Sequence, residues 1–271
     1  MKKNTWWRTV LTLVAAFIHF LPFYIVFTVA FKPKTELSSR WALPKELYLD
    51  NFKLAIEKAD ILLAIKNSLI ITLITVTLVM LIGALAAYPL ARLKSKFNTG
   101  ILLMVVGIMM VPPLSVLVPL LTMMSRLNLI STYPGIISVL LTFQLPMSIF
   151  LYSNFITTIP VSLDEAARID GCNKIQTFWH VILPLLKPVT ASVVILTGVN
   201  IWNDYQFSLY LLQKQEMRVV TLAVSTFFAS NSTNLGAAAA AALIAIAPVA
   251  ALYIFLQKYF VQGMVDGAVK G

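Results

Sequence analysis

Six stretches of the chain carry no Asp, Glu, Lys or Arg: Thr9–Phe31, Asn67–Ala91, Phe97–Ser125, Leu127–Leu163, Pro188–Asn203 and Val219–Gln257. A helix crosses the hydrocarbon core of a bilayer with roughly 20 apolar residues. In lipid every backbone N–H and C=O must find a partner within the protein, which favours helices over open strands. The two-residue alternation of a membrane barrel is absent from the sequence. The pattern therefore predicts spanning helices near 9–31, 67–91, 101–124, 134–156, 185–207 and 236–258. The expected fold class is an all-α polytopic membrane protein with six transmembrane helices, read as a single domain over 1–271.

Composition agrees with this reading. The chain is 59% hydrophobic and 12% charged, with a mean hydropathy of +0.85, far too little charge to cover a soluble domain of this size. The first run follows Lys2, Lys3 and Arg8, as a signal peptide would. It is too long for one and lacks a small-residue cleavage site, so it is taken as a spanning helix. Trp6 and Trp7 stand where an interfacial anchor belongs. The single cysteine, Cys172, excludes an internal disulfide. A formal charge of +10 spread over connecting segments fits lipid headgroups better than nucleic acid. With six helices, eleven Lys and Arg fall on the side of the termini and ten on the other. The compact clusters at the N-terminus and at Arg92, Lys94 and Lys96 lean toward a cytoplasmic location for the first side.

The segment 157–184 interrupts the apolar chain with "DEAARIDG", Asp164 to Gly171. Pro160 ends the preceding run, and Ser162 stands three residues before Glu165, the spacing of a capping box. Ala166 and Ala167 favour helix, and Gly171 is placed to close it in a left-handed cap. A helix near Leu163–Asp170 is predicted, short enough to be marginal unless it packs on something. Small alanines beside Glu165, Arg168 and Asp170 suit a docking helix. A solvated turn at the membrane surface suits them equally well.

Glu165-Ala166-Ala167, three residues, Gly171, nine residues, then Val181-Ile182-Leu183-Pro184 resembles the EAA signature of ABC importer permeases, with valine in place of its isoleucine. The stretches "FKPKTEL" (31–37), "NSLIITLITVTLVMLIGALAAYPLARLKSKF" (67–97), "WNDY" (202–205) and "FVQGMVDGAVKG" (260–271) are similar to the binding-protein-dependent carbohydrate-uptake branch, which includes the smaller maltose-permease subunit. The resemblance covers nearly the whole chain. It implies a type I ABC importer transmembrane domain in a bacterial inner (cytoplasmic) membrane, with both termini cytoplasmic. It further implies a cytoplasmic coupling loop at 157–184 whose short helix sits on an ATPase. Leu163, Asp164, Glu165, Ala166, Ala167, Arg168, Asp170 and Gly171 would form that ATPase-coupling site. The implied partners are a second homologous permease subunit, two ATPase subunits and an extracytoplasmic solute-binding protein, and the implied cargo is a sugar, of oligosaccharide size.

No phosphate-binding G-x-x-x-x-G-K-[ST] loop occurs, and His19 and His180 lack metal-ligand spacing. No cofactor or metal site is therefore expected on this chain, ATP and Mg being used by the partner ATPase, and no catalytic residues are assigned. For the solute path, Asn200, Trp202, Asn203 and Asp204 combine amide and carboxylate groups with an aromatic face suited to sugar. An interfacial Trp and helix-capping asparagines would produce the same pattern. "GAAAAAAL", Gly236 to Leu243, permits close helix approach. Segments 32–66 and 209–235 are expected outside, the second resembling the loop that contacts a binding protein, and the tail 263–271 resembles one that reaches the ATPase. The rival readings are an importer of glycerol phosphate or another polar solute, and a stand-alone secondary transporter, which predicts ion-pathway charges or an inverted repeat. A membrane-bound enzyme would need paired catalytic groups, and none are apparent.

Overall fold

The computed structural model describes residues 6–36, 38–229 and 234–268, with the side chains of 229, 252, 253 and 255–268 left aside. Among the described residues the chain is helical throughout, with no strand. In chain order the α-helices are α1 (Trp6–Ala30), α2 (Asp50–Ala59), α3 (Ile61–Arg92), α4 (Lys96–Met109), α5 (Leu117–Arg126), α6 (Tyr133–Thr158), α7 (Ser162–Ile169), α8 (Lys174–Thr177), α9 (Leu183–Leu185), α10 (Lys187–Trp202), α11 (Gln206–Leu211), α12 (Val220–Ala229) and α13 (Leu235–Ala268). Helices α1, α3 and α6 are each long and apolar enough to cross a membrane unbroken.

Two of the expected spans are not straight. The 101–124 segment divides into α4 and a second arm, Pro113–Arg126, bent by 93°. Pro112 and Pro113 explain the break. Neither has an N–H to continue the ladder, and the Met110 and Val111 N–H groups turn back to Gly107 and Ile108. The 185–207 segment bends by 76° between Lys174–Leu185 and Lys187–Trp202. Pro184 and Pro188 flank that bend, and the five residues before it, Phe178–Ile182, form a π-helical turn. α10 then ends at Trp202 rather than continuing to 207.

The chain divides into two compact units, residues 1–65 with 220–248 and residues 66–219 with 249–271. In the first, Asn51 of α2 donates to the carbonyls of Ala30 (2.9 Å) and Lys32 (2.8 Å), tying off the end of α1. Gly236 lies against that amide, where a Cβ would come within 2.5 Å of Asn51 Nδ2. The 32–66 connection is ordered around Lys32, whose ammonium donates to Ser38 Oγ and the Ser39 carbonyl and stands 3.7 Å from Glu36. The 209–235 segment, read from sequence as a polar loop, contains helix α12. That helix packs on α2 and buries Val220, Leu222, Ala223 and Phe227. The polar stretch 230–233 and the tail residues 269–271 lie outside the described residues.

In the second unit α6 is the central post, touched by α4, α10 and α11. Its N-terminus is capped by Thr132, whose hydroxyl accepts from the Gly135 N–H. Val79, Ala84 and Ala87 of α3 meet Tyr152 and Ile156 of α6, with Ile182, Leu186 and Val193 closing the same core. At the other end Asn67 is fully used. It donates to the Glu216 and Arg218 carbonyls and accepts from Tyr133, so a polar group at a helix start braces the 212–219 turn.

Candidate coupling site

α7 is an eight-residue helix, Ser162–Ile169, just beyond the end of α6. The capping box expected at Ser162 and Glu165 does not form. The chain already turns at Pro160 and Val161, whose carbonyls take the Leu163, Asp164 and Glu165 N–H groups, so Ser162 lies inside the helix. The far end follows expectation. Gly171 has φ +86, Cys172 N–H bonds to the Ala167 carbonyl and Gly171 N–H to that of Arg168, the paired bonds of a Schellman cap. A reciprocal capping box does occur two residues later, between Asn173 and Gln176, starting α8.

The two sides of α7 differ in chemistry. Ala167 and Asp164, three residues apart, face into the protein, while Leu163, Glu165, Ala166, Arg168, Ile169 and Asp170 face out. Ile169 is 87% exposed, an apolar residue with no cover. A helix this short gains little from its own hydrogen bonds. Its anchorage comes from elsewhere.

That anchorage is Asp164. Its Oδ2 lies 2.9 Å from Arg92 Nη2, and its Oδ1 accepts from the Tyr88 hydroxyl at 2.6 Å. Tyr88 and Arg92 are one turn apart at the end of α3, hence on one face. The Arg92 Nη1 donates in addition to the carbonyls of Ile156 (3.1 Å) and Ile159 (2.9 Å), groups that the end of α6 leaves without helical partners. One guanidinium thus joins α3, α6 and α7. The side chains of Arg92 and Asp164 are 10% and 13% exposed, so water and salt screen the pair weakly. Each hydrogen bond to a charged group contributes about 1.5–3 kcal/mol, more than a two-turn helix gains by itself. The Tyr88 ring packs against Phe178 with centroids 5.5 Å apart. Between these elements lies a cavity of about 420 Å³ bordered by Leu85, Tyr88, Arg92, Asp164, Lys174 and Phe178.

The sequence reading included Asp164 among the coupling residues but missed Tyr88 and Arg92, counting Arg92 only as an orientation charge. The available signal was a hydroxyl and a guanidinium at four-residue spacing, ending a long apolar helix. Their partner lies more than 70 positions away, beyond the reach of local pattern.

The four solute-path candidates are not gathered at one surface. Trp202 is buried, 6% exposed, so neither face of its ring is open. Asp204 caps α11, accepting from the Phe207 N–H (3.3 Å), the Ser208 N–H (2.9 Å) and the Ser208 hydroxyl (2.6 Å). Asn203 is exposed and its amide donates to the Val199 carbonyl. Asn200 is exposed.

Comparison with known proteins agrees with this architecture. The family described as binding-protein-dependent transport system inner membrane component matches residues 79–266. The melibiose/raffinose/stachyose import permease protein MelC of Bacillus subtilis (strain 168) is 42% identical over 264 residues, 97% of this chain and 96% of its own length. A probable permease for starch degradation products, AmyC of Thermoanaerobacterium thermosulfurigenes, is 35% identical over 97% of this chain and 96% of its own. In fold the chain is similar to a bacterial ABC transporter involved in import of the acidic polysaccharide alginate, with a TM-score of 0.78 and 19% identity over 96% of this chain and 98% of that one. The matched span includes α7 and most of the second unit, and on these grounds the chain belongs to the binding-protein-dependent transport system inner membrane component family, the membrane-embedded permeases of ABC importers.

Proposed function

We propose that this chain is the permease subunit through which an ATP-driven importer moves an oligosaccharide across the bacterial cytoplasmic membrane. Residues 1–271 act as one permease domain, with both termini and α7 on the cytoplasmic side. Two ATPase subunits bind ATP and Mg and carry out hydrolysis; this chain contributes none. A second, homologous permease completes the path, and an extracytoplasmic solute-binding protein delivers the cargo. Relatives named for melibiose, raffinose and stachyose and for starch degradation products make an oligosaccharide the favoured solute, with raffinose as the first probe.

The observation that carries this reading is the two-sided character of α7. Ile169, Ala166 and Glu165 form an uncovered row while Asp164 ties the opposite side to α3 and α6. Such a helix is a handle, gripped from outside and fixed within. Asn200 and Asn203 are the candidates left for solute contact, since both are exposed. The test is association: Glu165→Lys and Gly171→Pro should abolish co-purification of the ATPase while membrane insertion stays normal. Wild-type recovery of ATPase with both variants refutes the reading.

A further inference from the structure

The covalent route from α7 toward α10 is poorly suited to transmit a push. It passes the left-handed Gly171, the four-residue α8, a π-helical turn and a 76° bend at Leu186. Each departure from regular helix is a place where displacement can be absorbed. The route through Arg92 has one side chain. Its guanidinium is held at four points, by two α6 carbonyls, by Asp164 and by its own backbone on α3. α3 then runs unbroken through 32 residues, with Gly83 seated against Ser148 and Tyr152 of α6.

We propose that Arg92 is a positioning residue for transport: it locks the coupling helix to the ends of α3 and α6, so that movement of α7 drives these two helices directly as one body. The proposal rests on the reading of α7 as the ATPase-docking handle. Tyr88 supports it by holding the second carboxylate oxygen, which prevents Asp164 from swivelling about its bond to Arg92. Arginine is required because a planar fork can serve an acid and two carbonyls at once, whereas a lysine ammonium presents a single point on a flexible stem. In this scheme the bent segment ahead of α10 adapts to the movement of α3 and α6 and does not lead it.

The test uses the complete transporter, reconstituted in liposomes with its binding protein, and reads two quantities together: ATP hydrolysed and labelled oligosaccharide taken up. Raffinose is the first probe, replaced by whichever oligosaccharide the wild type imports. Arg92→Lys keeps the charge and loses the fork. Tyr88→Phe keeps the ring on Phe178 and loses only the hydroxyl. With Arg92→Lys, hydrolysis should stay within about twofold of wild type while uptake per ATP falls about tenfold, the size expected from losing one charge-assisted hydrogen bond. Tyr88→Phe should lower uptake per ATP by about threefold, as befits one milder bond. A residue that merely held the fold together would lower assembly, hydrolysis and uptake in step and leave uptake per ATP unchanged; that result overturns the proposal. If Arg92→Lys fails to assemble, Tyr88→Phe decides alone, and an unchanged ratio there is equally fatal. Failure of the underlying reading looks different, because the ATPase would then be absent from the wild-type complex.

Discussion

Ser148 Oγ occupies the space that a Cβ on Gly83 would need, with Tyr152 next at 3.5 Å. α3 and α6 therefore approach as closely as a missing side chain allows. Gly83→Ala should push the two helices apart or force Ser148 to a new rotamer, costing about 1–3 kcal/mol. Thermal unfolding of the purified chain in detergent should record a lower Tm. Gly107→Ala is the control, since nothing lies within 4 Å of the point where its new methyl group would sit, and its Tm should stay level or rise slightly.

Asn51 and Gly236 form a comparable pair in the other unit. Asn51→Ala removes both donors from the Ala30 and Lys32 carbonyls and should cost about 1–3 kcal/mol. Gly236→Ala reaches the same amide from the far side and should dislodge the same two bonds. Because the lesion is shared, the double variant should lose clearly less than the two single losses combined. Strict additivity in a double-mutant cycle of Tm values would refute the clamp.

Acid should open the turn around Lys32. The Ser38 hydroxyl donates to the Glu36 carboxylate, and Lys32 and Lys45 add favourable charge; together they outweigh desolvation and hold the Glu36 carboxyl below the usual glutamate range. The folded state thus releases this proton more readily than the unfolded one. Its stabilisation is complete above the ordinary range and is lost as pH falls through the lowered value. Trp41 fluorescence should stay constant from neutral pH down to about pH 5 and change only below about pH 4. Glu36→Gln should remove that step.

Asp204 offers a test between capping and solute contact. Asp204→Ala should destabilise α11 by about 0.5–2 kcal/mol, the usual worth of such a cap. Asp204→Asn keeps an acceptor for the backbone and should leave both Tm and oligosaccharide uptake near wild type. Lost uptake at unchanged Tm would assign the carboxylate to the solute instead.

Sequence patterning located the helices because lipid-facing runs are written locally, residue after residue. It also located Gly171, whose left-handed turn requires no knowledge of the rest of the fold. It failed where the outcome depends on a neighbour. Ser162 and Glu165 have the spacing of a capping box, yet Pro160 starts the turn early and its carbonyl reaches the N–H groups first. Asn173 and Gln176 have an equivalent spacing without an earlier turn, and there the box forms. Pro112-Pro113 was visible in the chain, but a run of apolar residues across it suggested one straight span where a 93° bend exists. The Arg92–Asp164 contact belongs to a third class, since only the packing of α3 on α6 brings the two groups together.

The wider turn at Phe178–Ile182, where the Leu183 N–H reaches back five residues to Phe178, has a consequence for engineering. It holds about one residue more than an ordinary turn, so everything after it is rotated by about 100° from the phase an uninterrupted helix would give. Leu186, Val189 and Val193 point inward only because of that offset. Deleting one residue within the turn would rotate Lys187 toward their place and carry the leucine and both valines out, turning the whole next helix inside out without altering a single one of its own amino acids.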